Sequence, residues 1–222
     1  MDANTPYKII DFVSNKFQNG DVSPDEYNLI INTAQNEYLN YLLGEFQQFQ
    51  PGKPASRVQY SMTEATRQRV TPFIAPPAIL TVDPTGLSPY PGDYVQADAM
   101  YDSNLKRIRF VPQNKLYSIL ESVIDPVGTN PVFLIMSSGF QFYPITIGSA
   151  KLSYIRKPAT ILWSSTPDGN GRPVYNAGGS TAPEWGDVDM MDIISRALRM
   201  VGVNLSATDI SQYANEIKNT GQ

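Results

Sequence analysis

Five prolines fall between positions 76 and 91 (Pro76, Pro77, Pro84, Pro89 and Pro91), with Gly86 and Gly92 beside them. A proline in a helix interior removes an N–H and drives its ring into the preceding turn. This stretch therefore excludes long helices and admits only short strands and turns. The chain on either side reads differently, so the prolines divide helical ends from a β-prone middle.

At the N-terminal end, Thr5 can cap a helix with Pro6 at its first position. Ile9, Ile10, Val13 and Phe17 follow at helical spacing, and Gly20 is the expected stop. Ser23-Pro24-Asp25-Glu26 combines an N-cap, a first-turn proline and a capping-box glutamate. Tyr27, Ile30, Ile31, Ala34, Tyr38, Tyr41 and Leu42 then recur at three and four residues, which predicts one helix face to about Phe46. The tyrosines are expected to hold rings in the core and hydroxyls at its edge; the sharper reading is an aromatic contact face. Pro51-Gly52-Lys53-Pro54 breaks the chain, and Thr63 through Arg69 reads as one short helix.

From Asp93 to Trp163 the pattern is that of strands. Ala99–Tyr101 and Ile108–Val111 are short β-prone runs, Pro131–Met136 reads as a buried strand, and Gly139–Pro144 is a turn followed by aromatic alternation. Lys151–Arg156 alternates well and stops at Lys157-Pro158. Lys115–Ile124 is ambiguous, although Leu116, Ile119, Leu120 and Val123 fit a helix. Ser164–Pro183 is almost all small, polar and turn-forming residues, which reads as a long loop or hairpin arm or, equally, as a disordered insertion. The C-terminal end returns to helix through Ile193, Ile194, Ala197, Leu198 and Val201, with Gly202 as the stop. A second helix, with its N-cap and first-turn acid in Ser206–Asp209 and its end at Gly221, is expected to follow, with Ile210, Tyr213, Ala214 and Ile217 as its stripe.

The expected fold class is α+β: N- and C-terminal helices packed as a bundle, a central β-rich section and a long projecting loop. The expected division is residues 1–72 and 184–222 in the bundle, and 73–183, including the arm 164–183, in the β-rich domain.

The 222 residues contain no His and no Cys. Ser-His-Asp and Cys-His nucleophile systems, Cys/His zinc sites, thiolate-bound iron–sulfur clusters and disulfides are thereby excluded. Charged residues make up 17% of the chain, against about 25% in ordinary globular domains. Low charge suits surfaces that become buried in assemblies, where each unpaired charge is costly, and it suits many extracellular β proteins as well. A formal charge of −4 and a pI near 4.8 argue against a dedicated nucleic-acid binder. The N-terminus carries no positive start followed by an apolar run, and no apolar stretch approaches the length of a membrane span. A soluble protein, made in the cytoplasm or assembled there, is expected.

Asp187, Asp189 and Asp192 could hold a hard cation, or simply favour the positive end of a helix dipole. Asp98 with Asp102, or Glu121 with Asp125, could pair as general acid and base. Gly169-Asn170-Gly171 after Asp168 has no strand before it or helix after it, so turn chemistry explains it better than a phosphate loop. Lys106, Arg107 and Arg109 form a small basic group, with Arg67, Arg69, Arg156, Lys157, Arg196 and Arg199 elsewhere. Each reads as a solvated face or as half of an intersubunit ion pair, and several converging on one surface would allow contact with DNA phosphates.

Three segments resemble structural proteins of tailed bacteriophages. They are Gly139-Phe140-Gln141-Phe142-Tyr143-Pro144, Leu152–Pro158, and Ile193–Leu205 with its continuation Gln212-Tyr213-Ala214 to Gly221. The pattern is most similar to neck, or head-to-tail connector and adaptor, ring proteins of crAss-like phages of the podovirus type. The motifs cover roughly the C-terminal half of the chain; the remainder agrees in layout. The resemblance implies a cyclic homo-oligomer, commonly of twelve subunits, stacked beneath the portal protein. Such a ring joins portal to tail in the virion and leaves a channel through which genomic DNA passes without specific binding. It implies no catalytic site, no cofactor, no metal and no membrane contact. Under it the candidate interface residues are Tyr175, Trp185, Arg196, Arg199, Tyr213 and Lys218. Tail-tube, tail-hub and minor capsid proteins share this composition, and a carboxylate-based tail hydrolase is a further alternative.

Overall fold

The computed structural model describes residues 1–16, 21–45, 63–121 and 130–202. The expected C-terminal helix with Tyr213 and Lys218, the stop at Gly20, the Pro51–Pro54 break and Asp125 lie outside the described residues. The class is α+β, with helices towards both ends and sheets between them. The chain forms two units, residues 1–70 with 158–222, and residues 71–157.

The first unit is built on α1 (Asn4–Lys16), α2 (Pro24–Glu45), α3 (Thr63–Val70) and α5 (Asp187–Met200). The capping box of α2 forms as expected. Ser23 N–H and Oγ reach the Glu26 carboxylate at 3.0 and 2.8 Å, and Glu26 N–H returns to Ser23 Oγ at 3.4 Å. At α1 the cap sits one turn earlier than expected, because Asp2 accepts from both the backbone N–H and the hydroxyl of Thr5. Helix α5 opens with Asp187 and Asp189 in its first turn and ends at Gly202, whose φ of 86° is the left-handed conformation of a helix C′ residue. It packs against α1 and α2, burying Met190, Ile193, Ile194, Ala197 and Leu198; α2 buries Tyr27, Ile31, Ala34, Tyr38 and Leu42.

The second unit holds two sheets over one shared core. In the first, β1 (Ala78–Thr81), β7 (Ser149–Arg156) and β3 (Tyr94–Asp102) pair antiparallel in the order β1-β7-β3. In the second, β2 (Leu87–Ser88), β6 (Gly139–Tyr143), β5 (Val132–Met136) and β4 (Arg109–Phe110) follow the order β2-β6-β5-β4. Only β4 and β5 run parallel among these pairs, and α4 (Gln113–Leu120) lies between them in the chain, as a parallel crossover requires. The ambiguous 115–124 segment is helical from Lys115 to Leu120 and turns at Glu121. Leu80, Met100 and Leu152 from one sheet meet Phe133, Phe140 and Phe142 from the other. Strand β5 is buried only at Val132, Phe133 and Leu134; Ile135 and Met136 are exposed.

The arm becomes a hairpin of β8 (Ser165–Pro167) and β9 (Pro173–Tyr175), followed by a short 3₁₀ turn. Its tip is turn chemistry: Asp168 Oδ1 accepts from the N–H groups of Asn170 and Arg172, both at 2.8 Å, and Gly171 has φ 78°. The whole of 158–183 belongs with the helical unit. That moves the boundary from 183 to 157, and the reason lies in the contacts described next.

Candidate functional site

Helix α2 carries Asn28, Asn32 and Gln35 among its apolar residues. Their amides hold the strap that enters the arm. Asn32 Nδ2 donates to the Ile161 carbonyl at 2.8 Å, and Ile161 N–H donates to Asn32 Oδ1 at 2.9 Å. One turn away, Asn28 Nδ2 donates to the Trp163 carbonyl at 3.0 Å, and Trp163 N–H donates to Asn28 Oδ1 at 2.8 Å. Gln35 Nε2 reaches the Ala159 carbonyl at 3.2 Å. The spacing explains the fit: four helical residues rise about 6 Å and two extended residues about 6.6 Å, so a helix can serve an extended segment as a neighbouring strand would. Trp163 then stacks on Tyr7 at 4.1 Å and, less closely, on Tyr175 at 5.8 Å, and its Nε1 donates to Asn4 Oδ1. Tyr175, expected at an interface, is half-buried at the root of the hairpin.

A second cluster joins α2, α3 and α5. The Tyr38 hydroxyl donates to Asp189 Oδ1 at 2.8 Å and accepts from Arg69 at 3.1 Å. Arg69 also lies 3.6 Å from Asp189 and 3.9 Å from Asp192. Burial and the Asp189 carboxylate push the Tyr38 hydroxyl well above the usual tyrosine range. Arg196 lies over the rings of Tyr38 and Tyr41, at 5.5 and 4.9 Å. Arg199 is exposed. Trp185 is 3% exposed, packed edge-on to Tyr38 and bonded to Gln35 Oε1, so it belongs to the core and not to a surface. The three tyrosines divide: the Tyr27 ring and hydroxyl are both buried, Tyr38 is buried with its hydroxyl bonded, and Tyr41 is half exposed.

The acids of α5 do not converge. Asp187 receives the Met1 amino group at 2.8 Å, while Asp189 and Asp192 face Tyr38 and Arg69. Among the described residues no group of three acids is placed to share a cation. In the β unit, Asp102 is spent on the N–H groups of Asn104 and Lys106, whereas Asp98 accepts from Ser153 on the other face of β3, so the two do not face each other. A shallow hollow of about 340 Å³ opens beside Asp102, between Pro131, Pro144 and Ser149. The arrangement in the first unit is one of bracing, with Asn28, Asn32, Gln35, Tyr38 and Asp189 bonded to partners within the chain.

Sequence reasoning missed the amide clamp and the Tyr38–Arg69–Asp189 cluster. The available signal was the spacing Asn28, Asn32, Gln35 on a helix flank otherwise rich in Ile, Leu and Tyr. A scan against protein-family models finds no matching family, and a search of curated proteins finds no relative.

Proposed function

We propose that this chain is a structural subunit that assembles with copies of itself into a ring at the neck of a tailed phage particle, joining portal to tail around the path of the genome. The observation that carries self-assembly is on the helices. Phe12, Leu29 and Val188 stand 67%, 71% and 72% exposed on regular helical faces, in a chain with few charges to keep such faces apart in solution. Large exposed apolar groups on ordered elements suit burial in a partner surface. The place in the particle comes from the phage-like segments quoted above. In this reading the chain performs no reaction, and its net negative charge avoids the strong phosphate attraction that would hold DNA in a passage. Antibody labelling of purified particles tests the location: label at the head–tail junction is expected, and label on capsid faces or tail fibres would overturn it.

A further inference from the structure

The face of the three-stranded sheet turned away from the core carries one row across four strand segments. Ile79 pairs with Lys151, Lys151 pairs with Tyr101, and Tyr101 bridges to Arg107. Residues paired directly across strands project to the same side, so these four side chains stand abreast. With strands about 4.8 Å apart the row is about 14 Å long. The next residues along each strand, Leu80, Leu152 and Met100, are buried on the opposite side. Ile79 is 73% exposed, Tyr101 and Arg107 are exposed and Lys151 is half-buried. Among the described residues, neither Lys151 nor Arg107 is paired with a carboxylate.

The two units differ in charge. Residues 71–157 hold seven Lys and Arg against six Asp and Glu, a net +1; the rest of the chain holds ten against fifteen, a net −5. The first turns of α5 present a surface complementary to the row. Asp187 and Asp192 stand exposed, with side chains 75% and 55% accessible. Val188 and Met191 are exposed between them, at helical spacings that place all four on adjoining turns. Each acid already has a cation in its own chain, and a carboxylate keeps acceptor sites for a second donor. A nucleic-acid backbone would meet the two cations and leave Ile79 uncovered. A protein surface carrying acids and aliphatic groups together covers the whole row.

We propose that this sheet face docks the first turns of α5 of a second copy, Lys151 and Arg107 against Asp187 and Asp192, Ile79 and Tyr101 against Val188 and Met191. The inference rests on the ring reading and gives it a contact: two different faces meet, so the association is head-to-tail and closes into a ring when the rotation permits.

Two variants test it by sedimentation velocity over a concentration series. Arg107→Glu with Lys151→Glu makes the sheet face acidic, and Asp187→Lys with Met191→Lys makes the helix face basic. All four positions are surface-accessible, and unchanged thermal melts verify folding. Each variant alone is expected to associate about tenfold or more weakly than the parent. An equimolar mixture is expected to recover association, because each variant then offers the other a complementary face. A parent that assembles while both variants assemble equally well overturns this contact and leaves the ring reading standing, and a gain of duplex-DNA binding by the parent that only the sheet variant loses, with assembly unchanged, overturns it in favour of nucleic acid. A parent that is monomeric throughout overturns both.

Discussion

Asn32 and Ile161, 129 residues apart, exchange two hydrogen bonds: the side-chain amide of one answers both the N–H and the carbonyl of the other. Ile161 is fully buried, so its backbone groups have this partner in place of water. Asn32→Leu leaves a buried donor and acceptor unsatisfied and is expected to cost about 2–4 kcal/mol. Urea unfolding measures the loss; a change under about 0.5 kcal/mol would show that the clamp does not hold the strap.

Two buried tyrosines predict opposite outcomes. Tyr38→Phe removes the donor to Asp189 and the acceptor of Arg69, at an expected cost of about 1–3 kcal/mol. Among the described residues the Tyr27 hydroxyl has no hydrogen-bond partner, so Tyr27→Phe is expected to be neutral or stabilising. Burial raises both hydroxyls above the ordinary value of 10.0. The stability each contributes is present below that value and is lost as pH rises beyond it, because the unfolded chain then releases a proton the folded one keeps. Denaturation at alkaline pH should therefore be shallower in Tyr27→Phe; equal slopes in parent and variant would contradict this.

Asp11 is raised above its ordinary 3.8, by burial first and then by its hydrogen bond and repulsion with Asp21. In the window just above that value the folded state keeps a proton that the unfolded chain has lost, so stability falls as pH rises through it. Asp11→Asn is expected to gain on the parent from about pH 4 towards neutrality. Thermal melts across that range check it, and a difference independent of pH would refute it.

Gly139 has φ 151°, and an added Cβ would lie 2.1 Å from the Ser88 carbonyl oxygen, where β2 and β6 meet. Gly139→Ala is expected to destabilise by about 3 kcal/mol or more through strain and displacement of β2. Gly148→Ala meets nothing within 4 Å and serves as the control. Similar melting temperatures for the two variants would disprove the close approach.

What was legible in the sequence was local. The Ser23–Glu26 box, the stripe of α2, the stop at Gly202 and the alternation of β7 all depend on neighbours within a few residues, and all form. The boundary at 183 failed for the opposite reason. Nothing near Trp163 announces Asn28, 135 positions away, yet that contact and the Tyr7 stack bind the strap to the helices. Trp185 shows the same limit at the candidate site. An aromatic residue before an acidic helix reads equally as contact surface or core, and only the meeting of α2 with α5 decides that Tyr38 and Gln35 enclose it. Strand order is likewise a property of the closed sheet: β7 lies between β1 and β3 because its Leu152 faces both Ala78 and Met100.

Self-assembly is tested most directly by the native mass of the purified chain. Native mass spectrometry should give one closed oligomer whose mass is an integral multiple of 24.6 kDa and which dissociates as salt rises, since exposed ion pairs weaken with screening. A single species at the monomer mass, unchanged by concentration or salt, would contradict it.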